Sequence, residues 1–218
     1  MLASDLKKAI GRIPFARRVY GTLRRATGSG RQHRAALLRA LPRGSVGMEI
    51  GVHVGDYSQQ LLDALAPREL HLVDPWELST DPAYAQAWYG GAAKGGAAEM
   101  DARFAGVTRR FAREIAAGIV TVHRSYSSDA LAGFPDGHFD WIYIDGNHTY
   151  EFVRQDLLLS ERKIKPGGLI AGDDYGNPGW WEDGVTRAVD DFVRARGIRG
   201  FEVIGDQFLI RLQAVPIS

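Results

Sequence analysis

The 218-residue chain contains no cysteine. That absence excludes disulfides, thiolate metal sites and cysteine nucleophiles, and it suits a reducing compartment. Long apolar runs are missing too. Nothing approaches the ~18 residues that a membrane-spanning helix needs, and residues 1–25 lack the continuous apolar core of a secretory signal. Acids are almost absent from the first 43 positions, where eleven Lys/Arg face only Asp5 and the local charge is +10. The remaining residues, with sixteen basic and 25 acidic side chains, carry −9. The glycine turn after the first strand lacks Gly-x-Gly-x-x-Gly, and no Gly-Lys-Ser/Thr occurs. A pyrophosphate ligand and P-loop chemistry are therefore not expected.

The basic segment supports two readings. Leu6, Ile10, Ile13 and Leu23 form an apolar stripe that Gly11, Pro14 and Gly21 interrupt. Residues 1–43 can be a solvated helical cap on an acidic domain of residues 44–218. They can also be a basic amphipathic segment resting on an anionic membrane surface. Little aromatic interleaving and no recognisable module speak against nucleic acid as a partner. The expected location is the cytoplasm, with the N-terminus as the point of peripheral contact at the inner face of the membrane; a homo-oligomer is compatible with the sequence.

From Ser45 onward strand and helix patterns alternate, which predicts an α/β sheet. Strands are expected at 46–50, 70–73, 119–123, 139–144 and 169–171. Helices are expected at 57–66, 150–164 and 185–196. The stretch 75–118 should hold two helical pieces around a flexible Gly-rich segment at 90–96. Two last strands, 201–204 and 208–212, are joined by Gly205-Asp206, a hairpin signal that forces an antiparallel strand onto an otherwise parallel sheet. The expected fold is a Rossmann-like, doubly wound, mostly parallel seven-stranded sheet with an antiparallel C-terminal hairpin strand.

Several of these strands end on acids. Trp141-Ile142-Tyr143-Ile144 runs into Asp145, and Leu169-Ile170-Ala171-Gly172 runs into Asp173 and Asp174. Parallel strands joined by a right-handed crossover share one edge, so these carboxylates should converge in a crevice. Three carboxylates that close repel one another unless something cationic sits between them. At the same edge, strand one carries Glu49 into a turn with Gly51 and Gly55, and strand two ends in Asp74. An acid at the end of strand two suits ribose hydroxyls, and Glu49 could hold an ammonium group. S-adenosylmethionine has both features.

The order of these motifs resembles Rossmann-like S-adenosylmethionine-dependent methyltransferases. It is most similar to the small bacterial branch that includes macrocin-type sugar O-methyltransferases, and more distantly to catechol O-methyltransferases. The likeness covers about residues 45–213 and is carried by Glu-Ile-Gly-Val-His-Val-Gly (49–55), Leu-Val-Asp-Pro-Trp (72–76), His-Arg-Ser-Tyr-Ser-Ser-Asp (123–129), Ile-Asp-Gly-Asn-His-Thr-Tyr-Glu (144–151) and Lys-Pro-Gly-Gly-Leu-Ile-Ala-Gly-Asp-Asp-Tyr (165–175). The resemblance implies that Glu49, Gly51 and Gly55 line the methionine portion of the cofactor, with Tyr57 or Ser58 near its carboxylate. It implies Asp74 at the ribose, Trp76 by the adenine and Ser127 at the adenine edge, with Val52 and Asp145 completing the cofactor-binding set.

Methyl transfer to oxygen needs the acceptor held in line and its alkoxide character increased. Asp145, Asp173 and Asp174 are the residue types that suit Mg²⁺, and metal-dependent relatives place metal-binding residues at these positions. His148 is the candidate general base, three residues after Asp145 and with an unperturbed pKa of ~6.5. Sugar-modifying relatives often carry Asp-Gly-Asp where this chain has Asp-Gly-Asn; Asn147 reads instead as a helix cap. Tyr175, Trp180 and Trp181, in a Gly/Pro-rich loop, are candidates to stack on the acceptor. Tyr84, Trp88 and Tyr89 mark a second candidate lid, and His33 and Arg34 are further candidates to reach the acceptor. The activity expected is O-methylation of a sugar, glycan or related polyhydroxy acceptor assisted by Mg²⁺. A catechol-like or other natural-product O-methyltransferase is the alternative, and a non-catalytic cofactor-binding module the remoter one.

Overall fold

The computed structural model describes residues 29–213. The apolar stripe from Leu6 to Leu23 and most of the basic segment lie outside the described residues. Helix α1 (Ser29–Leu38) leads into β1 (Val46–Ile50), α2 (Asp56–Leu65) and β2 (Glu69–Asp74). After a 3₁₀ turn at Pro82–Tyr84 come α3 (Gly96–Arg110), α4 (Ala112–Ala116), β3 (Val120–Arg124) and α5 (Ser127–Ala132). The chain continues through β4 (Phe139–Ile144), α6 (Tyr150–Lys163), β5 (Ile164–Gly172), α7 (Gly184–Arg196), β6 (Gly200–Ile204) and β7 (Gln207–Arg211). No helix among the described residues is long and apolar enough to cross a membrane.

The seven strands form one sheet in the order β3-β2-β1-β4-β5-β7-β6. β3, β2, β1, β4 and β5 run parallel, and β7 inserts antiparallel between β5 and β6. This is the expected mostly parallel sheet with an antiparallel hairpin. Helices cover both faces, so the central strands read as continuous apolar runs rather than alternating ones. In β4, Trp141 and Tyr143 enter the core under α1 and α2, while Ile142 and Ile144 enter the core under α6 and α7. Trp141 fits because Gly47 is its register partner on β1; a Cβ there would stand 2.1 Å from the indole ring.

Two expectations on element bounds change. β5 begins at Ile164 instead of Leu169, because Ile164 already pairs with Phe139 before a register shift at Phe139/Trp141. The 75–118 stretch has only the 3₁₀ turn ahead of its glycines, with the longer helix after them.

Helix α1 is built into the domain. Leu37, Leu38 and Leu41 are buried in the core under α2. At the hairpin tip, the His33 ring lies so close to Gly205 that a Cβ there would approach it to 2.3 Å. His33 Nδ1 also lies 3.0 Å from Asp206 Oδ1. These contacts carry the next residue, Arg34, over the C-terminal edge of the strands.

Back from that edge, His71, His123 and His138 cluster with Phe134 and Phe139. Burial, with His123 and His138 close by, pushes His71 down to about 4, so its ring is neutral at ordinary pH.

Candidate active site

β1 turns toward β2 on one side and pairs with β4 on the other, so the crevice opens at the switch point of the sheet, beyond the strand C-termini. Gly51 lets the two strand ends meet there. Its φ is +92°, and a Cβ would lie 2.0 Å from the Asp145 carbonyl oxygen. Its amide donates to Val73 O, while the Asp145 amide donates to Ile50 O.

Glu49 is buried, and Ser58 Oγ donates to its Oε2 at 2.5 Å. Burial pushes the Glu49 carboxyl up to about 8, against the pull of the Ser58 hydroxyl. A cationic partner would restore its charge. Asp74 is buried and serves as an anchor for two loops. Its Oδ2 accepts from the amides of Val52 and His53 and from the Tyr89 hydroxyl at 2.7 Å, and its Oδ1 accepts from the Trp76 amide. Burial raises its pKa and these four donors oppose the rise. The hydroxyl of Tyr89 thus takes up one hydrogen-bonding position on Asp74 Oδ2.

The remaining expected cofactor residues are placed as follows. Gly55 sits in the left-handed region immediately before α2. Tyr57 is buried beside Tyr143, with the Arg34 guanidinium over its ring at 4.8 Å. The Trp76 ring is buried, donates from Nε1 to His53 O and packs on Phe104. Ser127 opens α5 and donates to Asp156 Oδ1 at 2.5 Å. Asp156 is a buried acid of α6, pushed up to about 7 by burial against the Ser127 bond. An acid on the inward face of α6, among Val153, Leu157 and Ser160, was the available signal for it.

The three carboxylates do meet cations, and both belong to the chain. Arg34 Nη2 donates to Asp145 Oδ2 and to Asp173 Oδ2, each at 2.5 Å. His148 lies between the others, with Nε2 3.2 Å from Asp145 Oδ1 and Nδ1 3.3 Å from Asp174 Oδ2. Burial alone would lower the His148 pKa, but the hydrogen bond to Asp145 and the charges of Asp174, Asp145 and Asp173 outweigh it and push it up to about 9. Asp173 is held further by the amide of Asp174 and by Gln207 Nε2; Gln207 in turn accepts from the Tyr143 hydroxyl. Asp174, at φ +61°, accepts from Asn177 Nδ2 at 2.5 Å.

This geometry differs from the expected Asp145–Asp173–Asp174 metal triad. The donor atoms that come together, within 4.8 Å of one another, are those of Asp145, His148 and Asp174. Asp173 is engaged by Arg34 and Gln207, and the guanidinium lies between Asp145 and Asp173. The imidazole of His148 takes the place of Asp173 in this cluster, and two carboxylates with a nitrogen donor are a softer set than the oxygen ligands Mg²⁺ prefers.

Around His148 the walls are aromatic. Trp181 meets the imidazole edge-on at 4.5 Å, and Trp180 packs against Trp181 and Tyr84. Tyr84 accepts from Asn147 Nδ2. Asn147 does not cap α6; its Oδ1 accepts from the Thr149 amide, and Thr149 holds the cap position. Tyr175 turns away, donating to Asp190 and packing on Phe201.

A family model described as a methyltransferase domain matches residues 48–175. No curated protein matches the sequence significantly. Among solved structures, the O-methyltransferase NovP superposes with a TM-score of 0.57 at 17% identity, over 87% of this chain and 80% of that one. The O-methyltransferase TomG from Streptomyces achromogenes, involved in tomaymycin synthesis and solved with its S-adenosylmethionine, gives 0.54 at 18%, over 84% and 80%. The N-methyltransferase NodS from Bradyrhizobium japonicum WM9 gives 0.54 at 16%, over 85% and 97%. At these identities the likenesses establish the fold.

Proposed function

The chain belongs to the methyltransferase-domain family and is an S-adenosylmethionine-dependent methyltransferase, and from that premise we propose that it methylates a hydroxyl oxygen of a sugar, glycan or related polyhydroxy acceptor. The observation that carries the oxygen and the base is His148, held between Asp145 and Asp174 under the Trp180–Trp181 wall. When bound, the cofactor supplies an electrophilic methyl group on a sulfonium. Asp74 would hold its ribose, Gly51 and Val52 would line it through the backbone, and buried Glu49 would face its ammonium group. Neutral His148 takes the acceptor proton, and Asp145 and Asp174 stabilise the imidazolium that forms. Arg34 bridges Asp145 and Asp173, and the acceptor proton is assigned to His148. Trp180 and Trp181 offer ring faces to a sugar and exclude water from the transfer.

Calorimetric titration of S-adenosylhomocysteine tests the cofactor side. Wild type should bind at micromolar Kd, and Asp74→Asn, which keeps an acceptor oxygen for the loop amides, should bind roughly 100-fold more weakly, the scale of a lost charge-assisted pair of hydrogen bonds. Tyr89→Phe should do the reverse. It removes the hydroxyl that competes for Asp74 Oδ2, so the ligand should bind about tenfold tighter. An unchanged Kd in Asp74→Asn would remove Asp74 from the site. On the acceptor side, a panel of sugars, diols, phenols and amines is read by methyl incorporation. Transfer confined to amines would overturn the hydroxyl assignment.

A further inference from the structure

We propose that Glu69, His71 and His138 form a second site, one that binds a transition-metal dication of the Zn²⁺ class and clips the start of β2 to the loop before β4. Glu69 and His71 are alternate residues of β2 and so lie on the same face of the strand. His138 comes from the connection between α5 and β4. One ligand atom from each of the three lies within 4.8 Å of the other two.

The atoms that would bind the ion are the ones the fold leaves unsatisfied. His71 Nε2 and His138 Nε2 are both buried and have no hydrogen-bond partner. Glu69 Oε2 stands 3.9 Å from His71 Nε2, too far for a hydrogen bond. Buried polar atoms in a native fold are ordinarily paired, and two orphans in one cluster need a reason. A dication shared by both lone pairs supplies it.

Surrounding contacts orient the imidazoles for that purpose. His71 Nδ1 lies 3.1 Å from His123 Nε2. With the proton on Nδ1, His71 donates to His123 and turns a bare Nε2 lone pair to the ion, the second-shell arrangement that metal-binding histidines use. Phe134 and Phe139 wall both rings, with centroids 4.8 Å and 5.6 Å from His71 and 5.1 Å and 4.7 Å from His138. Glu69 is the adjustable member. Its side chain is 42% exposed at the rim, so it can swing in to close the shell.

The donor set selects the ion. Two imidazole nitrogens and one carboxylate suit Zn²⁺, Co²⁺ or Ni²⁺, and not Mg²⁺ or Ca²⁺. Water from the exposed side would fill the fourth position. Glu69 precedes Asp74 by five residues on one extended strand, roughly 17 Å, so the ion would brace the sheet and take no part in methyl transfer.

The experiment uses the full chain, untagged and stripped with chelator, titrated calorimetrically with ZnCl₂ and followed by melting temperature. Co²⁺ serves as a spectroscopic probe of tetrahedral coordination. Wild type should bind one Zn²⁺ at this site with micromolar or tighter affinity and melt higher with it, while Mg²⁺ should give neither effect. His138→Gln, on a loop and only part-buried, should weaken Zn²⁺ binding at least 30-fold, Glu69→Gln should weaken it less, and His148→Gln should leave it intact. Absence of saturable Zn²⁺ binding would overturn the proposal. So would binding that survives His138→Gln and disappears in His148→Gln, which would put the ion in the methyl-transfer crevice instead.

Discussion

Arg34→Met is expected to lower stability by about 3–5 kcal/mol, the usual cost of removing one partner from a buried ion pair. The variant leaves Asp145 and Asp173 side by side with nothing between them. Only about a quarter of the Arg34 side chain is exposed, and Asp173 is almost fully buried, so water replaces the guanidinium poorly. The double variant Arg34→Met/Asp173→Asn should regain most of the loss, because it removes the stranded charge as well. Thermal melts of the two variants make the comparison. If both fall equally, Arg34 matters for packing on Tyr57 and not for charge. The same variant tests how the crevice handles positive charge. Wild type should be indifferent to millimolar Mg²⁺ in both melting temperature and methyl transfer, and to chelator in methyl transfer. Arg34→Met, with two carboxylates that no longer share a guanidinium, should melt higher when Mg²⁺ is added. Mg²⁺-dependent transfer by wild type would restore the metal to the reaction and displace Arg34 from the role given to it here.

The acids of this crevice were legible in the sequence because two independent signals coincide on them. Apolar runs such as Trp141–Ile144 mark a strand, and a carboxylate immediately after a parallel strand has only one edge of the sheet to occupy. The sequence suggests Arg34 only as a residue that could reach the acceptor, and its pairing with the acids was not legible. Arg34 is 111 residues from Asp145 and 139 from Asp173, and its place depends on α1 docking on the hairpin tip through His33. No local pattern encodes that docking. Tyr89 on Asp74 and Gln207 on Asp173 are hidden for the same reason: each is a long-range polar contact whose residue type is ordinary in its own segment. Short-range readings failed in a different way. Asn147 has the composition of a cap, but its side chain closes a turn onto the Thr149 amide two residues later, a competing local hydrogen bond of comparable strength. The early start of β5 went unseen because Lys165-Pro166-Gly167-Gly168 reads as a loop, and pairing to β4 across a register shift overrides that local preference.

Methyl transfer should rise with pH by roughly fifty-fold between pH 7 and pH 9 and then level off. The cause is the charge around His148. It faces Asp145 from its own loop, Asp174 and Asp173 from the end of β5, Arg34 from α1 and the edge of the Trp181 ring. Burial disfavours the imidazolium, the carboxylates favour it, and they prevail, with the pKa pushed up to about 9. A base must first be free of its proton, and at pH 7 about one His148 in a hundred is. His148→Gln should lower the rate by 10²- to 10⁴-fold and flatten the profile, the range typical of a lost general base. Stability should move the opposite way. A histidine whose folded pKa lies above its unfolded value of ~6.5 stabilises the fold fully below pH 6.5. That stabilisation is lost as pH rises through about 9. The difference is on the order of 3 kcal/mol across that window, and denaturant melts at pH 6 and pH 9.5 would resolve it. In His148→Gln the histidine's share of that slope should disappear, leaving the smaller fall contributed by Glu49 and Asp156, whose carboxyls are pushed up to about 8 and about 7. A wild-type rate that is flat from pH 7 to pH 9, together with melts that do not differ between wild type and variant, would mean that His148 is neutral in the folded protein and does not pair with Asp145 and Asp174 as an imidazolium.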